Sequence, residues 1–186
     1  ISDNAVITPF TGGEFISETG AKLLNFYGYR YLGVFSTTKE AQEADLRNEY
    51  GIPFGAGDAI YDDISGPNEE PDGVIDKYDK TAIGSPIPDY TGSFNTRIRY
   101  KRWALDIALQ GVYGNELFNY VRSLNESMSD VYNQSSAVLN RWQYEGQETE
   151  VPRSLWEDPM QNAAFSSRWI EDGSYIRLKN ITLSYN

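Results

Sequence analysis

The chain of 186 residues is predicted to be all-β, with antiparallel strands forming part of a transmembrane β-barrel and long outer loops that contain short helices. Three observations predict this. Two neighbouring stretches, Tyr90–Tyr100 and Trp103–Tyr113, alternate apolar and polar residues with the period of two that belongs to a strand. Both apolar faces begin and end on an aromatic ring. The chain also carries 14 Tyr and 8 Phe against 2 Met, a usage that suits a pleated surface.

The elements follow in order. The start at Ile1 without an initiator Met, and the end at Asn186 directly after a strand-like run, predict an excerpt of a longer protein. Residues 5–10 read as a strand, broken at Gly12-Gly13. A strand is expected over about 26–35, with Tyr27, Tyr29, Tyr31 and Phe35 on one face. Residues 38–50 read as a short polar helix capped by Thr38 and closed before Ile52-Pro53. Gly- and Asp-rich sequence then runs to Pro88, so that 36–89 forms a long loop.

In 90–100 the residues Tyr90, Gly92, Phe94, Thr96, Ile98 and Tyr100 share one face, and Thr91, Ser93, Asn95, Arg97 and Arg99 share the polar one. The apolar series resumes in 103–113 with Trp103, Leu105, Ile107, Leu109, Gly111 and Tyr113. A two-residue connection pairs Tyr100 with Trp103, Ile98 with Leu105, Phe94 with Leu109 and Tyr90 with Tyr113, and sets Arg97 opposite Asp106. Lys101-Arg102 lacks the Asn-Gly chemistry of tight turns, so a turn one or two residues longer is the alternative. In the second long loop, 114–173, Leu117, Val121, Leu124, Met128 and Val131 are spaced as one stripe of an amphipathic helix. The last strand, 174–185, slips phase near Asn180, which predicts a bulge.

Alternation alone fits a soluble sandwich equally well. The spacing of the rings separates the two. Tyr90 and Tyr100 are ten residues apart, as are Trp103 and Tyr113, which makes roughly 33 Å of strand at about 3.3 Å per residue. Tilted by roughly 40°, such a strand spans about 25 Å, the apolar band between the aromatic girdles of an outer-membrane barrel. With Lys101-Arg102 as a short periplasmic turn, the loops 36–89 and 114–173 fall outside the cell. Strands 26–35 and 103–113 then run outward, and 90–100 and 174–185 inward.

Composition excludes several classes of function. Lys and Arg number 16 against 27 Asp and Glu, the wrong balance for a nucleic-acid partner. With no Cys and no His, thiolate chemistry and the commonest general base and metal ligand are absent. No run of about 18 apolar residues predicts a membrane helix. Acidic pairs such as Asp62-Asp63 and Glu69-Glu70 read as a solvated loop, not as acid–base machinery, so no enzyme is expected. The competing readings are a secreted, soluble β-rich binding module stabilised by calcium, and a carbohydrate-active enzyme domain.

The stretch 63–79 carries Asp63, Asp72, Asp76 and Asp79 with Gly66 and Gly73 at turns and Ile75 as an anchor. No cofactor is required by the sequence; several carboxylates on a Gly-bent loop read as a solvated Asp/Gly turn, with a Ca²⁺ loop as the alternative.

Other residues carry a family resemblance. Phe26-Tyr27-Gly28-Tyr29, Gly57-Asp58, Ile83-Gly84-Ser85-Pro86, Tyr113-Gly114-Asn115, Asn140-Arg141-Trp142 and Pro152-Arg153 are in that order, and the run from Ser166-Ser167-Arg168-Trp169 to Leu178-Lys179-Asn180 is the most specific. Residues 20–186 thereby resemble the SusC/RagA family of TonB-linked outer-membrane transporters. The resemblance implies a complete protein with an amino-terminal plug and TonB box, absent here, and a barrel of about 22 strands. It also implies a SusD-like surface lipoprotein as lid, contact with outer-membrane lipid, and import of a glycan or peptide powered through TonB. The family's uninterrupted Asp-rich loop is broken here by residues 67–71, and Ser65 occupies one ligand position. Among the loop aromatics, Trp142 and Trp156 are the candidates for contact with substrate or lid, with packing at the barrel mouth as the alternative.

Overall fold

A computed structural model describes residues 5–185. The two chain ends, on which the expectation of an excerpt rests, lie outside the described residues. In chain order the strands and helices are β1 Val6–Phe10, β2 Gly13–Ser17, β3 Asn25–Gly28, β4 Tyr31–Val34, α1 Thr38–Ala44, β5 Arg47–Asn48, β6 Ala59–Tyr61, β7 Val74–Ile75, β8 Thr81–Gly84, β9 Tyr90–Tyr100, β10 Trp103–Tyr113, β11 Glu116–Phe118, α2 Tyr120–Glu126, β12 Ile170–Asp172 and β13 Tyr175–Tyr185.

The three long strands form one antiparallel sheet in the order β13-β10-β9. Tyr100 pairs with Trp103, Ile98 with Leu105, Phe94 with Leu109, Tyr90 with Tyr113, and Arg97 with Asp106, the register that the alternation predicts. The connection is the two-residue one, not a longer turn. Lys101 takes φ 53° to close it, a left-handed backbone that costs about 1–2 kcal/mol away from glycine. Keeping the apolar face in register along the ladder, with Thr96 opposite Ile107 as its one polar member, outweighs that local strain. On the other side of β10, Ile107 pairs with Ile181 and Ala108 with Asn180, but Leu109 pairs with Leu178. Lys179 is the extra residue of a bulge. Without it a one-residue slip would turn Leu178 and Ile176 to the polar face.

The strand expected over 26–35 does not exist as one element. It divides into β3 and β4, which lie in different sheets. Tyr29, in the gap, donates its N–H to Phe165 O (3.1 Å) and accepts from Ser167 N (3.0 Å). Tyr31 N then donates to Ser167 Oγ (3.0 Å). All four residues of β3 are buried, leaving no face for lipid, and four residues fall short of the roughly 9–11 that a membrane strand needs. Residues 26–35 therefore belong with the loops.

Both helices are shorter than the patterns suggest. In α1 the cap is Thr37, whose hydroxyl accepts from Glu40 N at 3.1 Å. Asp45 ends the helix in a left-handed conformation, so that residues after 44 are free to pair as β5 with β7. The stripe Leu117 to Val131 is divided: Leu117 lies in β11, paired with β12, and Val131 is exposed. Only Tyr120–Glu126 is helical. The buried core of the loop assembly gathers Tyr29, Phe35, Phe54, Tyr61, Ile75 and Met160 from distant parts of the chain.

Candidate functional site

The sheet β13-β10-β9 presents two unlike faces. Phe94, Ile98, Leu178, Ile181 and Leu183 are between 52% and 64% exposed, and Ile176 is 85% exposed. Among the described residues no other strand or helix packs closely across this sheet. One end of the apolar face is closed by Tyr90 and Tyr113, with ring centroids 6.4 Å apart. The other end is closed by Tyr100, Trp103 and Tyr185, the last two 4.9 Å apart. Burial of each large apolar side chain is worth about 1.5–3 kcal/mol, and soluble monomers rarely leave so contiguous a patch in water. The opposite face carries Asn95, Arg97, Asp106, Asn180, Thr182 and Ser184 around a shallow polar groove, with Arg97 paired to Asp106.

The loop segments are clipped together by a residue that sequence reading left without a role. Asp58 is fully buried. Arg153 holds it with two bonds, Nε to Oδ1 at 2.8 Å and Nη2 to Oδ2 at 2.9 Å. Asn162 Nδ2 donates to Oδ1 (3.1 Å) and Gly55 N to Oδ2 (2.8 Å). Nothing in local spacing points to a partner 95 residues away.

Trp142 belongs to the same clip. Its indole N–H donates to Ser36 O at 3.1 Å, and its ring lies against Gly57, where an added Cβ would come within 2.5 Å of it. Gly57 also has φ 84°. Gly57→Ala is expected to push Trp142 out and cost about 1–2 kcal/mol from the left-handed backbone alone, read as faster proteolysis of the loops. Trp156 is 63% exposed and points to solvent. Of the two sequence candidates, Trp142 is tied into packing and Trp156 is open to contact.

The four aspartates of the proposed Ca²⁺ loop each bind backbone amides. Asp79, fully buried, accepts from Ile64 N, Ser65 N and Asp76 N. Asp76 accepts from Tyr78 N, Asp72 from Val74 N, and Asp63 from Gly73 N. Among the described residues no three carboxylates gather into a metal-ligand set. Burial raises the Asp79 pKa, with the charge of Asp63 adding to the rise, while the three amide bonds pull it down. Calorimetric titration with Ca²⁺ after EDTA separates the two readings of this loop: a heat of binding marks a cation site, and the amide-bonded arrangement by itself gives none.

Buried tyrosines make the assembly sensitive to alkali. Burial pushes Tyr31 up to about 12 and raises Tyr29 and Tyr61 as well. Tyr31 and Tyr61 donate their hydroxyls to Glu150 O and Gln161 O, both at 2.7 Å. The folded pKa values are raised, so the stability that these phenols contribute is complete below the unfolded value of about 10 and is lost as pH rises beyond it. Cooperative loop opening together with late tyrosinate absorbance is the expected result of an alkaline titration.

No family model matches the chain. It is 32% identical over 171 residues to TonB-dependent receptor P3 of Formosa agariphila, covering 92% of this chain. The chain belongs with the TonB-dependent receptors. TonB-dependent receptor P26 of the same organism is 31% identical over 161 residues, 87% of this chain. The receptor segment spans 16% and 15% of the lengths of these two relatives. Its fold is similar to two solved structures, the RagAB peptide importer in a closed-closed state (TM-score 0.69) and the RagAB peptide transporter (TM-score 0.70). Each is 23% identical to it; 100% and 98% of this chain and 18% of each neighbour are covered. TonB-dependent receptors are outer-membrane proteins, which places the segment in that membrane, and the relatives are receptors, not enzymes.

Proposed function

We propose that this receptor segment supplies wall and outer loops to an importer of nutrients across the outer membrane. In this reading β9, β10 and β13 cross the bilayer, the Lys101-Arg102 turn faces the periplasm, and the loop assembly faces outward. The apolar face then meets outer-membrane lipid, and the polar face with Arg97 and Asp106 looks into the lumen. A SusD-like surface lipoprotein would cover the loops, and the cargo would be a glycan or a peptide. Energy would come from TonB through a part of the protein other than this chain. One observation carries the reading: eleven-residue strands with an uncovered apolar face bracketed by aromatic rings at both ends.

Uptake of labelled glycan and peptide by cells carrying the full-length protein tests it. Import that needs both TonB and the lipoprotein is the expected result; uptake unchanged when the receptor is deleted would overturn it. Trp156→Ala is expected to weaken lipoprotein or cargo binding by about 1 kcal/mol or more, measured as affinity on the purified complex; unchanged affinity removes Trp156 as a contact.

A further inference from the structure

The short turn of the wall holds two cations that the import reading leaves without a task. The chain as a whole has 16 Lys and Arg against 27 Asp and Glu. The segments 90–113 and 175–185 reverse that balance, with Arg97, Arg99, Lys101, Arg102, Arg177 and Lys179 against Asp106 alone. Asp106 is paired with Arg97. Among the described residues, neither Lys101 nor Arg102 takes part in an ion pair.

The side on which these two head groups lie is informative. Lys101 Nζ sits 5.3 Å from the centroid of the Tyr100 ring. Arg102 Nη1 reaches the Tyr185 hydroxyl at 3.4 Å. Tyr100, Trp103 and Tyr185 all belong to the apolar face, not the polar one. Both cations therefore sit at the rim of the sheet, touching rings of the apolar face on one side and lining a polar pocket with Arg97, Arg99, Asp106 and Ser184 on the other. Amphipathic rings settle at the level of lipid headgroups, so the cations are carried to the depth where headgroup phosphates lie.

We propose that Lys101 and Arg102, backed by Tyr100, Trp103 and Tyr185, bind the headgroup phosphate of an anionic phospholipid in the periplasmic leaflet. The proposal rests on the reading of β9, β10 and β13 as membrane strands with this turn on the periplasmic side. Two adjacent positive groups match one phosphodiester, with the guanidinium able to donate two parallel bonds and the ammonium acting as a point charge. The rings beneath them supply apolar contact for the first carbons of the lipid chains. Each cation near an anionic membrane surface contributes on the order of fivefold in binding, so the pair together gives roughly twenty-five-fold.

The test uses the full-length receptor in detergent, titrated with phosphatidylglycerol, with zwitterionic phosphatidylcholine and with inorganic phosphate, and read by native mass spectrometry. The wild type is expected to take up one more phosphatidylglycerol than the variant Lys101→Gln/Arg102→Gln, whose affinity for that lipid falls roughly twenty-five-fold while phosphatidylcholine binding is unchanged. The swap Lys101→Arg/Arg102→Lys is expected to restore it. Undiminished phosphatidylglycerol binding in the double Gln variant, or displacement of the lipid by inorganic phosphate at equal concentration, overturns the proposal. Heat-modifiable gel migration confirms that each variant is a folded barrel. A separate arm labels Lys101→Cys with a membrane-impermeant maleimide. Labelling only after the outer membrane is permeabilised supports the periplasmic turn; labelling on intact cells overturns the orientation itself, and with it the choice of leaflet.

Discussion

Replacing Leu109 with Arg is expected to destabilise the folded wall by about 2–4 kcal/mol, the cost of a cation near the midplane of an outer-membrane barrel. Leu109 lies near the middle of β10, between Phe94 on β9 and Leu178 on β13. All three belong to the face that ends in Tyr90 and Tyr113 on one side and in Tyr100, Trp103 and Tyr185 on the other. A guanidinium at that depth has no water and no carboxylate, and it can reach an interface only by bending the strand or thinning the bilayer. The matching control is Ser93→Lys, whose position pairs with Gln110 on the polar face. That change is expected to stay within about 0.5 kcal/mol, as for an ordinary exposed site. Urea titration of the full-length protein folded in lipid vesicles measures both. Equal tolerance of the two charges would mean that the apolar face does not meet hydrocarbon.

Arg153→Ala is expected to cost about 3 kcal/mol in the loop assembly. Removing one partner of a fully buried ion pair costs roughly 3–5 kcal/mol because it leaves the other charge uncompensated. Here Asp58 is buried while Arg153 is 35% exposed, so the cost lies at the low end. The lower figure applies also because Asn162 and the Gly55 amide still donate to the fully buried Asp58. The variant Asp58→Asn with Arg153→Met removes both charges and is expected to recover much of the loss. Hydrogen exchange in residues 55–59 and 151–162 reads the local opening directly. Because the clip lies in the loops, the three-stranded wall should keep its protection in both variants; loss of protection there as well would show that wall and loops unfold as one unit.

What could be read from the sequence follows the range of the forces involved. The β9–β10 register was legible because side-chain alternation is a local signal and the two strands are adjacent in the chain. The phase slip near Asn180 showed the bulge for the same reason, since a strand that pairs on one face must keep its period or insert a residue. The run 26–35 misled because alternation reports side chains and says nothing of where the backbone finds its partners. At Tyr29 those partners are Phe165 and Ser167, far along the chain. The helical stripe from Leu117 to Val131 misled similarly, because Glu116–Phe118 gains more by pairing with Ile170–Asp172 than by joining a helix.

The candidate site divides along the same line. Trp142 and Trp156 look alike in sequence, yet only the fold ties one to Ser36 and Gly57 and leaves the other in solvent. The aspartates of 63–79 announced a turn rich in acceptors, and it took the structure to show that each of them takes at least one backbone amide while Asp63 Oδ1 is buried without a partner. By itself the sequence determined the β9–β10 hairpin, its register, the bulge of β13 and the aromatic rims, all consequences of a period-two pattern. Only the tertiary structure decided how the loops close, because the hold of Arg153 on buried Asp58 depends on two residues 95 apart meeting in space, and no local periodicity encodes that meeting.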